Sequence, residues 1–189
     1  MASPTVPDHL VTLDEWNSRP RYERFVVEVV AGVPVIEPRP MLLHQRVANR
    51  LVTALDRQLP DELSAVGHIE LLLESSPLTV RCPDVLVVGS ALVAANRRRA
   101  RATDVSLVVE VVSECTRRTD RVTKFAEYAR AGIGRYWIVD IAGTPRLSAF
   151  ESSGAGYVPV GELVGDGRLI VAGREVALDV AALTARRPR

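Results

Sequence analysis

Residues 105–112, with the sequence VSLVVEVV, decide the fold. A near-continuous apolar run of this length, rich in β-branched residues, is typical of a strand that is covered on both faces. Glu110 lies inside the run, where an unpaired carboxylate would be costly to bury. The pattern therefore predicts a central strand of a sheet and marks Glu110 as a candidate functional residue.

The segments around this strand predict further helices and strands. Downstream, a helical pattern over 120–131 is closed by Gly132, and RYWIVDI at 135–141 is typical of another buried strand. Residues 89–104, which carry the basic run RRRAR, are predicted to form a connector. Three short strand patterns lie upstream, HIELLLE at 68–74, LTVRC at 78–82 and DVLVV at 84–88.

The N-terminal part of the chain predicts a helix, a hairpin and a second helix. Thr12 and Glu15 have the spacing of a capping box. The apolar stretches RFVVEVV and VPVIEP on either side of Gly32 indicate a β-hairpin. Apolar residues recur every four positions over 42–59, and Pro60 ends this helical pattern.

The order of the predicted elements indicates the fold class. Residues 145–178 alternate around glycines and predict edge strands, and LDVAALTA at 178–185 predicts a short final helix. We expect an α/β or α+β sandwich with a mixed β-sheet flanked by helices. The chain is predicted to be one domain over 1–189, with a core at about 16–141 and a β-rich tail with a short helix at 142–189.

Composition excludes several classes of protein. Of the 189 residues, 47% are hydrophobic and 25% are charged, so disordered and collagen-like chains are excluded. No apolar stretch is long enough to span a membrane and no secretory signal is visible, so a cytoplasmic location is expected. Two cysteines, Cys82 and Cys115, are too few for a disulfide framework or a zinc cluster. A net charge of +1 provides no global field for a polyanion, and function must come from a local site.

Two acidic residues within strand patterns are candidates for that site. Asp84 begins PDVLVV, and Glu110 lies in the middle of its strand. If the two strands are neighbours, the carboxylates could share a divalent cation, and all-oxygen ligands suit Mg²⁺ or Mn²⁺. The alternative is that each acid pairs with an arginine. Glu28, in RFVVEVV, is a third acid of the same kind, and an ion pair would explain it equally well.

Lys124 is the only lysine of a chain with 24 lysine and arginine residues. If a bias against lysine acts on this chain, the remaining lysine lies where a compact ammonium does what a guanidinium cannot. A lysine left by chance is the alternative.

Several segments together resemble a known family. RCPDVLVV at 81–88, LVVEVVSECTRRTD at 107–120 and RVTKFAEYARAGIGRYWIVD at 121–140 resemble the Uma family of proposed restriction endonucleases, a branch of the PD-(D/E)xK nuclease superfamily. VVEVVAG and a P-x-x-x-H segment ending at His44 add to the resemblance, which covers about 16–140.

The resemblance implies a metal-dependent phosphodiesterase in which Asp84 and Glu110 bind Mg²⁺ or Mn²⁺ and Lys124 completes the catalytic site. The superfamily pattern has its lysine two residues after the glutamate, where this chain has Val112. Lys124 fits a version in which the lysine has moved to the following helix. At about 100° per residue, however, Lys124 falls opposite the apolar face of Val122, Phe125, Ala126, Ala129 and Ile133. It would then point to solvent unless the helix presents that side to the sheet edge or a cleft, or is buried on two sides.

Other residues have weaker assignments. Glu28 would help to hold the metal or its water, and His44 and Tyr128 are candidates for supporting roles beside the catalytic site. The basic run consists of Arg97, Arg98, Arg99 and Arg101. It could contact phosphates, or it could be a solvated connector.

The first functional hypothesis is a Mg²⁺-dependent endonuclease that cleaves DNA as a homodimer. The alternatives are a catalytically silent module of the same fold and a phosphodiesterase on another substrate.

Overall fold

Two β-sheets, and the side chains packed between them, position every candidate residue. The computed structural model describes residues 6–20, 22, 24–112 and 119–185, with the backbone alone at 119 and 120. Cys115 lies outside the described residues. The five-stranded sheet has the order β2 (Val33–Pro38), β1 (Phe25–Val30), β5 (Leu78–Arg81), β4 (Glu70–Ser75), β7 (Arg99–Arg101). Only β7, which is parallel to β4, departs from antiparallel pairing in this sheet.

The six-stranded sheet is mixed, as the sequence predicted. Its order is β11 (Tyr157–Leu163), β10 (Arg146–Ser152), β9 (Arg135–Asp140), β8 (Val105–Val112), β6 (Val85–Gly89), β3 (Leu63–Gly67). The β8 and β9 strands run parallel, and all other neighbours are antiparallel. The predicted strand at 105–112 has the same bounds as β8, and it lies inside the sheet as expected.

Helices cover both sheets. They are α1 (Leu13–Ser18), α2 (Leu42–Asp56), α3 (Ser90–Ala94), α4 (Phe125–Arg130) and α5 (Val180–Thr184), with a π-helical segment at Thr119–Lys124 and a 3₁₀ turn at Ala102–Asp104. The capping box before α1 is confirmed, because Thr12 N–H donates to Glu15 Oε2 at 2.8 Å and Glu15 N–H donates to Thr12 Oγ1 at 3.3 Å. Among the described residues, no helix is long and apolar enough to cross a membrane.

Two sequence predictions need correction. Residues 89–104 are not a plain connector, because α3 and β7 form within them and β7 hydrogen-bonds to β4. The helix predicted over 42–59 ends at Asp56, since Arg57 and the residues after it form a turn before Pro60.

Alternation along β6 and β8 divides the side chains of the six-stranded sheet between two cores. Val87 and Val109 pack with α2 in one core, and Leu86 and Val108 pack with α4 in the other. The second core also contains Leu71 from β4 of the other sheet, so it lies between the two sheets. Since side chains alternate, Asp84 and Glu110 project toward this inter-sheet core.

The C-terminal segment is integrated with the rest of the fold. Strands β10 and β11 extend the six-stranded sheet. A separate hairpin of β12 (Asp166–Val171) and β13 (Arg174–Asp179) packs with α5 into the same hydrophobic core as α2. Arg50 Nη1 on α2 donates to Ala182 O at 2.6 Å and to Leu183 O at 2.9 Å, which ties α5 to α2.

Two leucines of α2 provide a matched test of this packing. Leu55 is fully buried, whereas Leu42 is 86% exposed. Leu55→Ala should lower the free energy of unfolding by about 2–5 kcal/mol, because it leaves a cavity in the core. Leu42→Ala should change it by less than about 0.5 kcal/mol. Urea denaturation measures both, and equal effects would contradict the assignment of the buried face.

Candidate active site

Asp84 and Glu110 lie side by side on neighbouring strands. Val85 is paired with Val109 in the antiparallel β6/β8 ladder, so the next step of the register brings Asp84 opposite Glu110. Asp84 Oδ2 accepts a hydrogen bond of 2.8 Å from the N–H of Val111, which fixes the carboxylate against β8. Asp84 is 5% exposed and Glu110 is 3% exposed. The structure therefore brings together the two acids that the sequence selected.

Lys124 and Tyr128 both contact Glu110. Lys124 Nζ lies 3.1 Å from Glu110 Oε1, and Tyr128 Oη donates to the same oxygen at 2.7 Å. Lys124 Nζ is also 3.9 Å from Glu28 Oε1, so the ammonium lies between two carboxylates. Burial and the charge of Glu110 raise the pKa of Tyr128 well above its usual value, which keeps its hydroxyl protonated as a donor.

Lys124 points into the site and not to solvent. Lys124 is 7% exposed, whereas Val122, placed on the apolar face by the helical wheel, is 61% exposed. The wheel assumed one continuous α-helix, but Thr119–Lys124 is π-helical, and this changes the angular spacing of its residues. Along α4 the buried face is formed by Glu127 and Tyr128, which follow Lys124 at helical spacing.

Glu28 belongs to the same buried cluster. It projects from β1 on the face opposite Val29, and its Oε1 accepts a hydrogen bond of 2.8 Å from the N–H of Cys82. Arg81 Nη1 donates to Glu28 Oε2 at 2.7 Å. Burial alone would raise the pKa of this carboxyl, but the charges of Lys124 and Arg81 and these hydrogen bonds outweigh burial and lower it. Glu28 is therefore ionised at neutral pH.

Sequence reasoning missed Arg81 and Glu127. Arg81 Nε and Nη2 donate to the two oxygens of Glu127 at 2.7 and 2.9 Å, a bidentate pair that attaches α4 to β5. Burial lowers the pKa of the Arg81 guanidinium, but the bond to Glu127 and the charges of both glutamates raise it above its usual value. The available signals were an arginine at the end of the apolar stretch LTVR and the spacing of Lys124, Glu127 and Tyr128.

Cys82 is partly buried and carries a free thiol. Burial and the charge of Glu28 raise the pKa of its thiol to about 12, so it stays protonated.

His44 lies near the start of α2, directly beside Asp84. Its Nε2 is 2.7 Å from Asp84 Oδ1, but the orientation of the ring is not that of a hydrogen bond, and Nε2 has no hydrogen-bond partner among the described residues. A buried nitrogen of this kind is a ready donor or acceptor for a ligand near Asp84.

The acids of the site fit a hard cation bound through few protein ligands. Within the described ranges, no group of three or more His, Cys, Asp or Glu side chains is arranged to hold a metal ion. Mg²⁺ keeps several waters and is commonly bound through one or two carboxylates, which Asp84 and Glu110 can supply. The orphaned Nε2 of His44 is placed to hydrogen-bond such a water.

The predicted phosphate-contacting arginines lie on the other sheet. Arg97, Arg98 and Arg101 are exposed, whereas the side chain of Arg99 is 14% exposed. Arg99 Nη2 lies 3.2 Å from Glu70 Oε2, and Arg98 Nη1 donates to the backbone of Asn17. Arg98 and Arg99 thus contact residues of α1 and β4.

Comparison with known proteins identifies a similar fold and the family of the chain. The chain is similar in fold to a crystal structure described as "a putative nuclease belonging to DUF820" from Anabaena variabilis ATCC 29413. The TM-score is 0.68 and the identity 16%, over 92% of this chain and 97% of that chain. Residues 13–181 match the family described as "Uma2: Putative restriction endonuclease", and the chain belongs to this family. No curated protein matches it.

The family assignment confirms the resemblance found in the sequence. An identity of 16% to the solved structure shows the fold alone, because one fold carries many functions. Membership of the family supports a nuclease.

The Arg81 ion pairs yield a stability prediction. Arg81→Met should lower the free energy of unfolding by about 3–5 kcal/mol, since it leaves Glu28 and Glu127 buried without their partner. The matched control is Arg168→Met, which removes a surface pair with Glu175 and should cost less than about 1 kcal/mol. Chemical denaturation of both variants measures the difference. A loss at Arg81 no larger than that at Arg168 would show that the buried network does not stabilise the fold.

Proposed function

We propose that the protein is a Mg²⁺-dependent endonuclease that hydrolyses phosphodiester bonds of DNA. The observation that carries the proposal is the buried pair of Asp84 and Glu110 with the ammonium of Lys124 on Glu110. Membership of the Uma2 family supports the same reaction class. Among the described residues, Asp84 contacts His44 at 2.7 Å and forms an ion pair with no arginine or lysine, so the pairing of each acid with an arginine does not account for it.

Asp84 and Glu110 would hold the cation in this proposal. The bound ion would lower the pKa of a water and offset the charge that develops on the phosphate oxygens. Tyr128 fixes the rotamer of Glu110 by its hydrogen bond, and the Val111 N–H does the same for Asp84. Both carboxylates are therefore oriented before the substrate binds.

Lys124 would act as a localised positive charge next to the reacting phosphate. Glu110 and Glu28 hold its ammonium in place, and burial strengthens its electrostatic effect relative to water. Glu28, ionised and held by Arg81, would position Lys124 and a metal-bound water. His44 Nε2, beside Asp84, would accept or donate a hydrogen bond to that water.

Arg97, Arg98, Arg99 and Arg101 would add phosphate contacts away from the reacting atoms, because a chain of net charge +1 needs a local basic surface to hold a polyanion. A homodimer would place two sites on one duplex, one for each strand.

Cleavage of DNA tests the reaction and its residues. Wild-type protein with Mg²⁺ or Mn²⁺ should cut plasmid or single-stranded DNA, and Asp84→Asn, Glu110→Gln and Lys124→Met should each lower the rate at least about a hundredfold. Glu175→Gln, which changes a surface carboxylate, should retain the wild-type rate. No cleavage by wild type would favour a silent module or another phosphodiester substrate. Cleavage that survives all three substitutions would come from a contaminant.

Metal binding can be measured without activity. A hundredfold excess of Mg²⁺ over its Kd should raise the Tm of the wild-type protein by about 5–10 °C, since ligand binding stabilises the folded state. The shift should vanish in the Asp84→Asn, Glu110→Gln double variant and persist in Glu175→Gln. Differential scanning calorimetry measures all three, and an unchanged shift in the double variant would place the cation elsewhere.

A further inference from the structure

A cavity lies next to the strand end that carries Asp84. Its volume is about 490 Å³, which is within the range of small-molecule sites. We call it the side pocket. The residues that matter for its chemistry are Tyr22, Phe25, Arg39, Gln45, His68 and Arg98.

The side pocket and the acid pair share their walls. Cys82 lines the pocket, and its N–H donates to Glu28 Oε1 at 2.8 Å. His68 also lines it, and the His68 N–H donates to the carbonyl oxygen of Asp84 at 3.4 Å. The wall of the pocket therefore borders on the backbone of Asp84 and on the carboxylate of Glu28.

The lining of the side pocket combines aromatic rings with positive charge. Tyr22 and Phe25 supply ring faces, and Arg39 and Arg98 are exposed on the rim. Among the described residues of the lining, Glu70 is the one acid, and Arg19 Nη2 lies 2.8 Å from its Oε1. Aromatic faces stack on nucleobases and guanidinium groups bind phosphates, so this chemistry suits a nucleotide.

The backbone at His68 is held in an unusual conformation against the site. His68 has a φ of +54°, in the left-handed region that few residues other than glycine adopt. A Cβ at the preceding Gly67 would lie 3.3 Å from the carbonyl oxygen of Asp84, so this corner packs closely on the strand end. The corner keeps the exposed His68 in the pocket wall beside Asp84.

Exposed apolar side chains stand next to the side pocket. Met41 and Leu42, at the start of α2, are 84% and 86% exposed and lie between Pro40 and Gln45, which both line the pocket. Apolar side chains in such a position can insert between bases and separate a stacked step. They would assist a nucleotide in leaving the stack.

We infer that the side pocket takes one unstacked nucleotide, so that the preferred substrate has an unpaired base next to the phosphodiester at Asp84 and Glu110. This inference rests on the proposed nuclease function and specifies its substrate class. A pocket of this size holds one nucleotide but not a base pair within its helix. Regular duplex DNA would have to flip a nucleotide out, which costs unstacking free energy, whereas single-stranded or bulged DNA would not.

Binding of matched oligonucleotides tests the inference with the wild-type protein. In EDTA, which prevents cleavage, fluorescence anisotropy compares one sequence as a single strand, as a blunt duplex and as a duplex with one unpaired nucleotide. The single strand and the bulged duplex should bind about tenfold tighter than the blunt duplex. A 2-aminopurine at the unpaired position should lose fluorescence on binding, because it stacks on an aromatic ring.

Variants locate the bound base. Phe25→Leu and Tyr22→Leu should weaken single-strand binding about fivefold and leave blunt-duplex binding unchanged, because each removes a stacking ring. Phe150→Leu makes the same change on β10, outside the pocket, and should have no effect. Arg98→Gln should weaken binding of all three DNAs relative to Arg168→Gln, which removes a surface charge elsewhere.

Equal affinity for all three DNAs, or equal effects of Phe25→Leu and Phe150→Leu, would overturn the inference. Cleavage of the same DNAs with Mg²⁺ separates this failure from that of the nuclease proposal. If the pocket inference alone is wrong, single strand and duplex are cut alike. If the nuclease proposal alone is wrong, no DNA is cut, while the preference for an unpaired base and its loss in the ring variants remain.

Discussion

The pairing of charges buried between the two sheets is the constraint on which the rest of the structure depends. Arg81 is held between Glu28 and Glu127, and Lys124 lies between Glu28 and Glu110. Burial of any one of these charges in this core without its partners would be strongly unfavourable, because desolvation costs several kcal/mol per ion. Since the partners come from β1, β5, β8 and α4, the ion pairs also determine how these elements sit relative to one another. The site and the fold therefore stabilise each other.

The sequence predicted the site residues whose side-chain direction is determined by strand alternation alone. An acid within VSLVVEVV must project to one face of a buried strand, and Asp84, at the start of the neighbouring strand, projects to the same face. The bounds of β8 and the mixed sheet follow from the same apolar pattern. Each acid could be selected from the sequence without knowing its neighbours in the fold, because burial of an unpaired carboxylate in an apolar strand is unfavourable by itself.

The parts that failed depend on contacts between distant segments. The π-helical turn at Thr119–Lys124 is a local departure from α-helical spacing for which the segment has no sequence signal. It turns Lys124 inward, whereas a continuous α-helix would place it opposite the apolar face. Arg81 and Glu127 are 46 positions apart, and their pairing depends on how α4 packs against β5. Strand β7 was missed because RAR, with three residues, is too short to show a strand pattern, and its partner β4 lies about 30 positions upstream.

The burial of Lys124 has a chemical consequence for the whole molecule. It is the only lysine of the chain and is 7% exposed, so no other side chain offers an ε-amine to an acylating or cross-linking reagent. Such reagents can modify a lysine here only when α4 separates from β8 and the ammonium leaves Glu110. The rate of lysine acylation is then a direct measure of how often the space between the sheets opens, read from a single residue without any engineered label.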